Sequence, residues 1–394
     1  MIDKETKINT KTFLKDVLIC SLGAYGGPEA HYGVFTDQMV VKKNYLTEDE
    51  LVEMIALTGV LPGPSSTQTI TSIGYKVGGP KLAFLTLLVW ALPAIIIMTV
   101  LSFLYFFMRE ANLDTDALRL IGPMAVGFIV VAAYRIGRKV IKSSLTLGLF
   151  IFGGIATYFF RAPWVFPLVL ILGGVTVVLA SKEKELWNHV KLNPPWKYLM
   201  TFIGIAGVSM ILVFVFSSPI IFLFESFYRY GYLVIGGGQV VIPYMYTDLV
   251  EIHGLMTSEQ FLTGFGLVQG IPGPMFSFSA YAGGLASSDQ SGFIQVISAI
   301  VSGVAIFLPG TLLIFFVYPI WENLKKIKGI KISLAGITAV AGGLIATAAI
   351  VLMDRTGFSL ENMLVMLITV GLLLTKKIPA PIIVGLVIAI GFLL

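Results

Sequence analysis

Cysteine occurs once in this 394-residue chain, at Cys20, and histidine three times. One thiol cannot form an internal disulfide, and so few soft ligands leave no spacing for a metal cluster, so no metal or cofactor is expected. Cys20 reads as a small apolar residue within a helix. Charge is scarce as well. Lys, Arg, Asp and Glu make up 12% of the residues and hydrophobic side chains 56%, whereas soluble domains carry about 25% and about 45–50%. The net charge of +5 gathers in short loops, a pattern of membrane topology rather than of a nucleic-acid surface. Walker loops, GxSxG elbows and any soluble domain able to hydrolyse nucleotide are missing, which excludes the common enzyme classes; active transport by such a chain must draw on a gradient. The period-two alternation of a membrane barrel is missing too.

Long uncharged runs are present instead. Leu82 to Met108, Ser143 to Phe160, Ala162 to Ser181, Tyr198 to Phe224, Gln290 to Trp321 and Ile332 to Met353 suit helical spans of about 20 residues. The expectation is an all-α polytopic membrane protein. Lys4, Lys7, Lys11 and Lys15 precede the first apolar stretch like the start of a signal peptide. That stretch has an internal counterpart, so a removable leader is not expected.

The counterpart belongs to a repeat. Gly26-Gly27 matches Gly236-Gly237, Pro62-Gly63-Pro64 matches Pro272-Gly273-Pro274, and Gly74 matches Gly284: 236 − 26 = 272 − 62 = 284 − 74 = 210. Thr47 and Thr257 keep this register, after which Pro93/Pro309, Gly127/Gly343 and Pro163/Pro379 shift it by six, to 216. The chain divides into a first repeat at 1–180, a basic linker with one unmatched apolar segment at 181–222, and a second repeat at 223–394. Each repeat holds six apolar segments, in the first roughly 13 to 35, 50 to 75, 82 to 108, 119 to 136, 143 to 160 and 162 to 180. An even number of crossings followed by one extra turns the second repeat upside down. The basic loops agree: Arg135, Arg138, Lys139 and Lys142 follow the fourth segment of the first repeat, whereas Lys325, Lys326, Lys328 and Lys331 precede that of the second. Placing both in the cytoplasm, with the N-terminus and Lys376-Lys377, forces opposite orientations, a plan that recurs in secondary transporters.

Two motifs interrupt the apolar runs. In LPGPSSTQ, Leu61 to Gln68, a Pro-Gly-Pro break is tolerable in hydrocarbon only where it faces protein or a water-filled cavity. Pro64 can open a new helix whose first amides belong to Ser65, Ser66 and Thr67, an anion-binding end to which Gln68 adds donors. The second copy, IPGPMFSFS, keeps Gly273 but has Met275, Phe276 and Phe278 for Ser65, Ser66 and Gln68, so the first half is the more polar. The companion, GAYGGPEAHY, Gly23 to Tyr32, is answered by IGGGQVVIP with Gly236, Gly237 and Gln239. Glu29 and His31 are an ionisable pair suited to a proton or ion route, or to a membrane edge. Glu53 is a gating or an interface carboxylate, Lys76 an anion complement or a topology signal, and Gln269 a cavity donor. His189 and His253 are expected in solvated loops.

GGPEAH, LPGPSSTQ with the following Gly74, Tyr75 and Gly78, and Leu92-Pro93 resemble the signature of the chromate transporter family in its long, two-domain bacterial form. The resemblance covers nearly the whole chain. It implies export of chromate, a tetrahedral dianion similar to sulfate, across the cytoplasmic membrane, coupled to protons. It also implies functional roles for Gly26, Gly27, Pro28, Glu29, His31, Pro62, Gly63, Pro64 and Gln68. Gly238 and Gln239 depart from it where the first half has Pro28 and Glu29. Expected partners are the oxyanion, protons and the bilayer, with a homodimer open. Uptake or exchange of sulfate, a passive anion channel, and a membrane reductase are the alternatives, the last opposed by the lone Cys20.

Overall fold

A computed structural model describes residues 9–110, 118–162, 164–183, 186–187, 190–235 and 239–393. Among these residues the ordered elements are helices, without strands. Five helical stretches are long and apolar enough to cross a membrane: Ser65–Met108, Ile121–Val140, Trp196–Val215, Gly292–Leu324 and Lys328–Thr356. The expected all-α polytopic membrane class is therefore observed.

The first two apolar segments do not run straight through. Helix α1 (Thr10–Gly23) and helix α2 (Pro28–Phe35), extended by a π-helical turn over Thr36–Lys42, form a hairpin about Ala24 to Gly27. Buried Asp16 of α1 fixes its base, accepting from Gln38 Nε2 at 2.9 Å and Tyr45 Oη at 2.6 Å, with Lys43 Nζ at 3.3 Å. A carboxylate this buried persists because each oxygen has a donor. Helix α3 (Glu48–Val60), opened by a Thr47/Glu50 capping box, folds back in the same way on the start of α4 (Ser65–Glu110). Thr58 and Thr69 hydroxyls meet at 2.9 Å beside the turn, and Lys76 pairs with Glu50 at the base. The chain leaves this hairpin at Gly78 and Gly79, where α4 loses helical dihedrals before its long apolar part.

After α5 (Ile121–Val140), α6 (Ser144–Phe159), α7 (Val165–Ala180) and α8 (Trp196–Val215), the pattern returns. Helices α9 (Pro219–Leu233) and α10 (Val241–Tyr246) make one hairpin, and α11 (Ser258–Val268) and α12 (Phe278–Leu285) the next. In the former, Arg229 of α9 donates to Glu225 at 2.9 Å and to buried Asp248 at 3.3 Å, while Tyr230 Oη reaches Asp248 at 2.6 Å. Asp248 stands 210 residues after Gln38 (248 − 38) and Ser226 the same distance after Asp16 (226 − 16). The acid has changed sides of the hairpin while the clasp remains.

The remaining helices are α13 (Gly292–Ala305), α14 (Leu308–Val317), α15 (Trp321–Leu324), α16 (Lys328–Thr356), α17 (Leu360–Thr375) and α18 (Ala380–Leu393). Both ends of α17 lie 216 residues after those of α6 (360 − 144 = 375 − 159 = 216). Helix α4 serves as a ruler for the hairpins. Gly74 packs on Thr86, Thr67 Oγ1 accepts from Trp90 Nε1 at 3.0 Å, Gly273 faces Ala94, and Gly284 faces Ser102. From Thr86 to Ser102 the axis rises about 24 Å, so the α3–α4 and α11–α12 hairpins lie along successive lengths of one helix with their tips meeting near Ala94.

Around this centre α16 packs on α5, α6 and α7, and α5 on α17. Small residues permit the approach: a methyl group on Gly343 would overlap Phe150 O and lie 2.8 Å from Gly154 N. Helix association in lipid relies on such close backbone contact. Gly343→Val is expected to destabilise the protein by about 1 to 3 kcal/mol, read as a lower unfolding midpoint in detergent. Gly148→Val, on a face of α6 where an added methyl meets nothing within 4 Å, is expected to leave that midpoint in place.

Candidate functional site

Each hairpin tip is a place where the backbone stops serving its own helix. Helix α1 ends at Ala24, whose extended backbone leaves its carbonyl free, and Gly26 and Gly27 turn the chain with φ of +79° and +96°. Pro28, with no N–H to lose, then opens α2. At the other motif, Gly63 has φ +131° and its copy Gly273 has +104°, conformations that a residue with a Cβ rarely adopts.

The four tips are tied crosswise. Gly63 N–H donates to Val234 O at 2.7 Å, and Gly273 N–H donates to Ala24 O at 2.8 Å. Both bonds keep one register, since 273 − 63 = 234 − 24 = 210. Each PGP glycine therefore caps the helix that ends at the GG motif of the other half. Gln68 locks the first tip: its Nε2 donates to Pro62 O at 2.8 Å and to Gly310 O at 3.1 Å. Both of its amide hydrogens are engaged in these two bonds. His31 is buried against Ser66 Oγ (3.0 Å) with its ring edge-on to Trp90 at 5.4 Å. Trp90 also accepts from Ser21 Oγ at 2.8 Å. His31, Ser66 and Thr67 thus bind the two first-half hairpins to α4.

Beside the tips lies a cavity of about 710 Å³. Gly26, Gly27, Glu29, Gly63, Ser65, Gln239 and Gln269 line it, which brings together seven of the residues expected at the site. Pro64, Ser66, Thr67, Gln68, His31 and Gly273 stand behind this layer. Glu53 pairs with Lys325, and Lys76 with Glu50, both at hairpin bases away from the cavity. Gly236 and Gly237 fall outside the described residues. His253 lies exposed in the bend after Thr247–Ile252, as expected, with its Nδ1 3.3 Å from Asp248 Oδ1, and His189 falls outside the described residues.

The wall opposite the tips is cationic. Arg135, Lys139 and Lys142 from the end of α5 and Lys376 from the α17–α18 turn all line the cavity. Arg135 is oriented by donating to Leu373 O at 3.2 Å. Among the described lining residues Glu29 is the single carboxylate, so four positive groups face one negative. Sequence reasoning passed over these cations because a basic loop already has a sufficient reason in topology. The available signal was spacing: positions 135 and 139 are four residues apart, which puts them on one face of α5, and Lys142 follows just past its end.

The sequence pattern described as Chromate transporter matches the chain twice, at residues 12–179 and 221–392. The chain belongs to the chromate transporter family. Within this family it is 27% identical over 379 residues to a probable chromate transport protein of Synechococcus elongatus, covering 95% of this chain and 92% of that one. It is 26% identical to a chromate transport protein of Cupriavidus metallidurans, covering 92% and 87%. An uncharacterized transporter of Bacillus subtilis aligns with 32% of this chain over 70% of its own length, at 25% identity. No solved structure matches. Membership in the chromate transporter family agrees with the polytopic helical fold and with transport rather than enzymatic chemistry.

Proposed function

We propose that this protein is a secondary transporter that exports chromate, a tetrahedral dianion, from the cytoplasm by alternating access between two inverted repeats. The cavity carries the reading. Backbone from the GG and PGP tips, the Ser65 hydroxyl, the Gln239 and Gln269 amides, and four cations line one cavity roomy enough for a hydrated anion, a donor set suited to an oxyanion. The crosswise tip bonds and the 210 and 216 registers support two related halves. The meeting of hairpins along α4 supports their opposition. Folding back of both hairpins leaves the inversion argument intact, because a hairpin enters and leaves on one side.

The basic wall supports a cavity whose open end faces the cytoplasm, on the side of the N-terminus. A dianion leaving an inside-negative cell is driven by about 2.3 kcal/mol per charge per 100 mV. Glu29 lies in the first turn of α2, where its negative charge competes with an anion for the same amides and cations. As the single carboxylate among the described lining residues, Glu29 rather than His31 is the group through which protons and anion are coupled.

The test is flux of chromate and of sulfate in proteoliposomes, with potential and pH imposed separately. Saturable chromate flux that follows the potential and rises as the pH on the cavity side falls is expected, and Glu29→Gln should flatten the pH response. Flux of sulfate alone would move the substrate assignment, and flux that never saturates would indicate a channel.

A further inference from the structure

A second, small pocket of about 20 Å³ lies between α6, α10 and α16. Its position is not arbitrary. Thr157, Thr347, Ala348 and Val351 line it, and in the 216 register these correspond to Leu373, Val131, Ala132 and Arg135, all of which line the large cavity. The small pocket is the narrow counterpart of the large one.

Two arginines converge there on one carboxylate. Glu251 Oε1 accepts from Arg161 at 2.9 Å and from Arg355 at 3.1 Å, and Oε2 accepts from Thr247 at 3.3 Å. Arg355 holds the register of the cavity-lining Lys139 (355 − 216 = 139), and Arg161 that of Lys377 (161 + 216 = 377), next to cavity-lining Lys376. One cation of the large cavity, Lys139, thus has a cationic mate beside the small pocket, and Arg161 stands one register position from the mate of Lys376. Glu251 has none, because 251 − 210 = 41 is an exposed valine.

Building on the alternating-access reading above, we propose that Arg161 and Arg355 form a second oxyanion site, the outer port, and that Glu251 fills it as a tethered anion while the cavity faces the cytoplasm. When the dianion arrives, it takes the two guanidinium groups, which bind a tetrahedral oxyanion through the same paired N–H donors that bind a carboxylate. Glu251 is displaced and the outer pocket opens. The carboxylate thereby holds the empty outer port shut, and the substrate itself competes for the latch.

The experiment follows Val351→Cys, in the small pocket, with a membrane-impermeant maleimide applied outside intact cells, the native Cys20 being buried. Adding Glu251→Gln is expected to raise the labelling rate roughly tenfold by shifting the population toward the outward-open form. External chromate should slow that labelling, and Arg161→Gln with Arg355→Gln should abolish the chromate protection. Glu251→Asp, which keeps the charge, should label more slowly than Glu251→Gln and serves as the comparison if the glutamine variant fails to fold. Unchanged labelling in both Glu251 variants, or chromate protection that survives loss of both arginines, overturns the proposal. Gly59→Cys, in the large cavity and labelled in inside-out vesicles where the reagent reaches the cytoplasmic side, separates the two readings. If chromate protects it while Val351→Cys stays closed, only the latch fails; if chromate does not protect it, the transport site itself is misplaced.

Discussion

Gly63→Ala is expected to reduce chromate transport to background while the protein still reaches the membrane. The backbone at Gly63 has φ +131°, and a Cβ there would lie 2.6 Å from Gln68 Nε2 and 3.0 Å from Gly310 Cα. Strain of this kind amounts to about 1 to 3 kcal/mol. Relieving it moves the Gly63 N–H from Val234 O and the Gln68 amide from its two carbonyls. Losing hydrogen bonds among buried groups costs about 1 to 3 kcal/mol for each orphaned partner. A tip that wall and substrate both depend on then loses its position. Gly59→Ala, three residues from Pro62 on the same hairpin, where an added methyl meets nothing within 4 Å, is the control and should transport normally. Counting flux per inserted molecule separates a displaced tip from a lost fold.

The second large effect concerns charge. Arg135→Gln combined with Lys139→Gln is expected to lower chromate flux at sub-saturating concentration roughly tenfold or more, and to weaken its dependence on ionic strength, because clefts of one sign concentrate the opposite ion. Arg138→Gln removes a cation from the same loop, but Arg138 does not line the cavity and sits by Tyr134. That variant should transport at the parental rate. A topology signal would respond to the loss of any of the three, whereas a binding wall responds only to the two that face the cavity.

Much of the architecture was readable from the chain. Hydropathy located the long helices, and the spacing of glycines and prolines paired Gly63 with Gly273 and Gly26-Gly27 with Gly236-Gly237. What hydropathy does not carry is direction. An apolar run broken at its middle has the same composition whether it continues across or doubles back, and the reversal shows only in partners such as Glu50 with Lys76, or Asp16 with Gln38. Side-chain destinations were equally hidden. Gln68 looked like a free donor, but its amide closes the turn that contains it. His31 looked like a partner of Glu29, yet two residues of helix send the two to nearly opposite faces, Glu29 to the cavity and His31 to Ser66 and Trp90. Arg135, Lys139, Lys142 and Lys376 satisfied one explanation completely, and a residue that already has a reason attracts no second one.

The most direct measurement is the location of chromium by anomalous scattering in crystals of the full-length protein grown with chromate. The proposed site predicts one principal peak inside the cavity, bounded by Gly27, Ser65, Gln239 and Gln269 and by the cations of α5. A peak on the lipid-facing surface, or a cavity that stays free of chromium at saturating chromate while the protein transports, would contradict it.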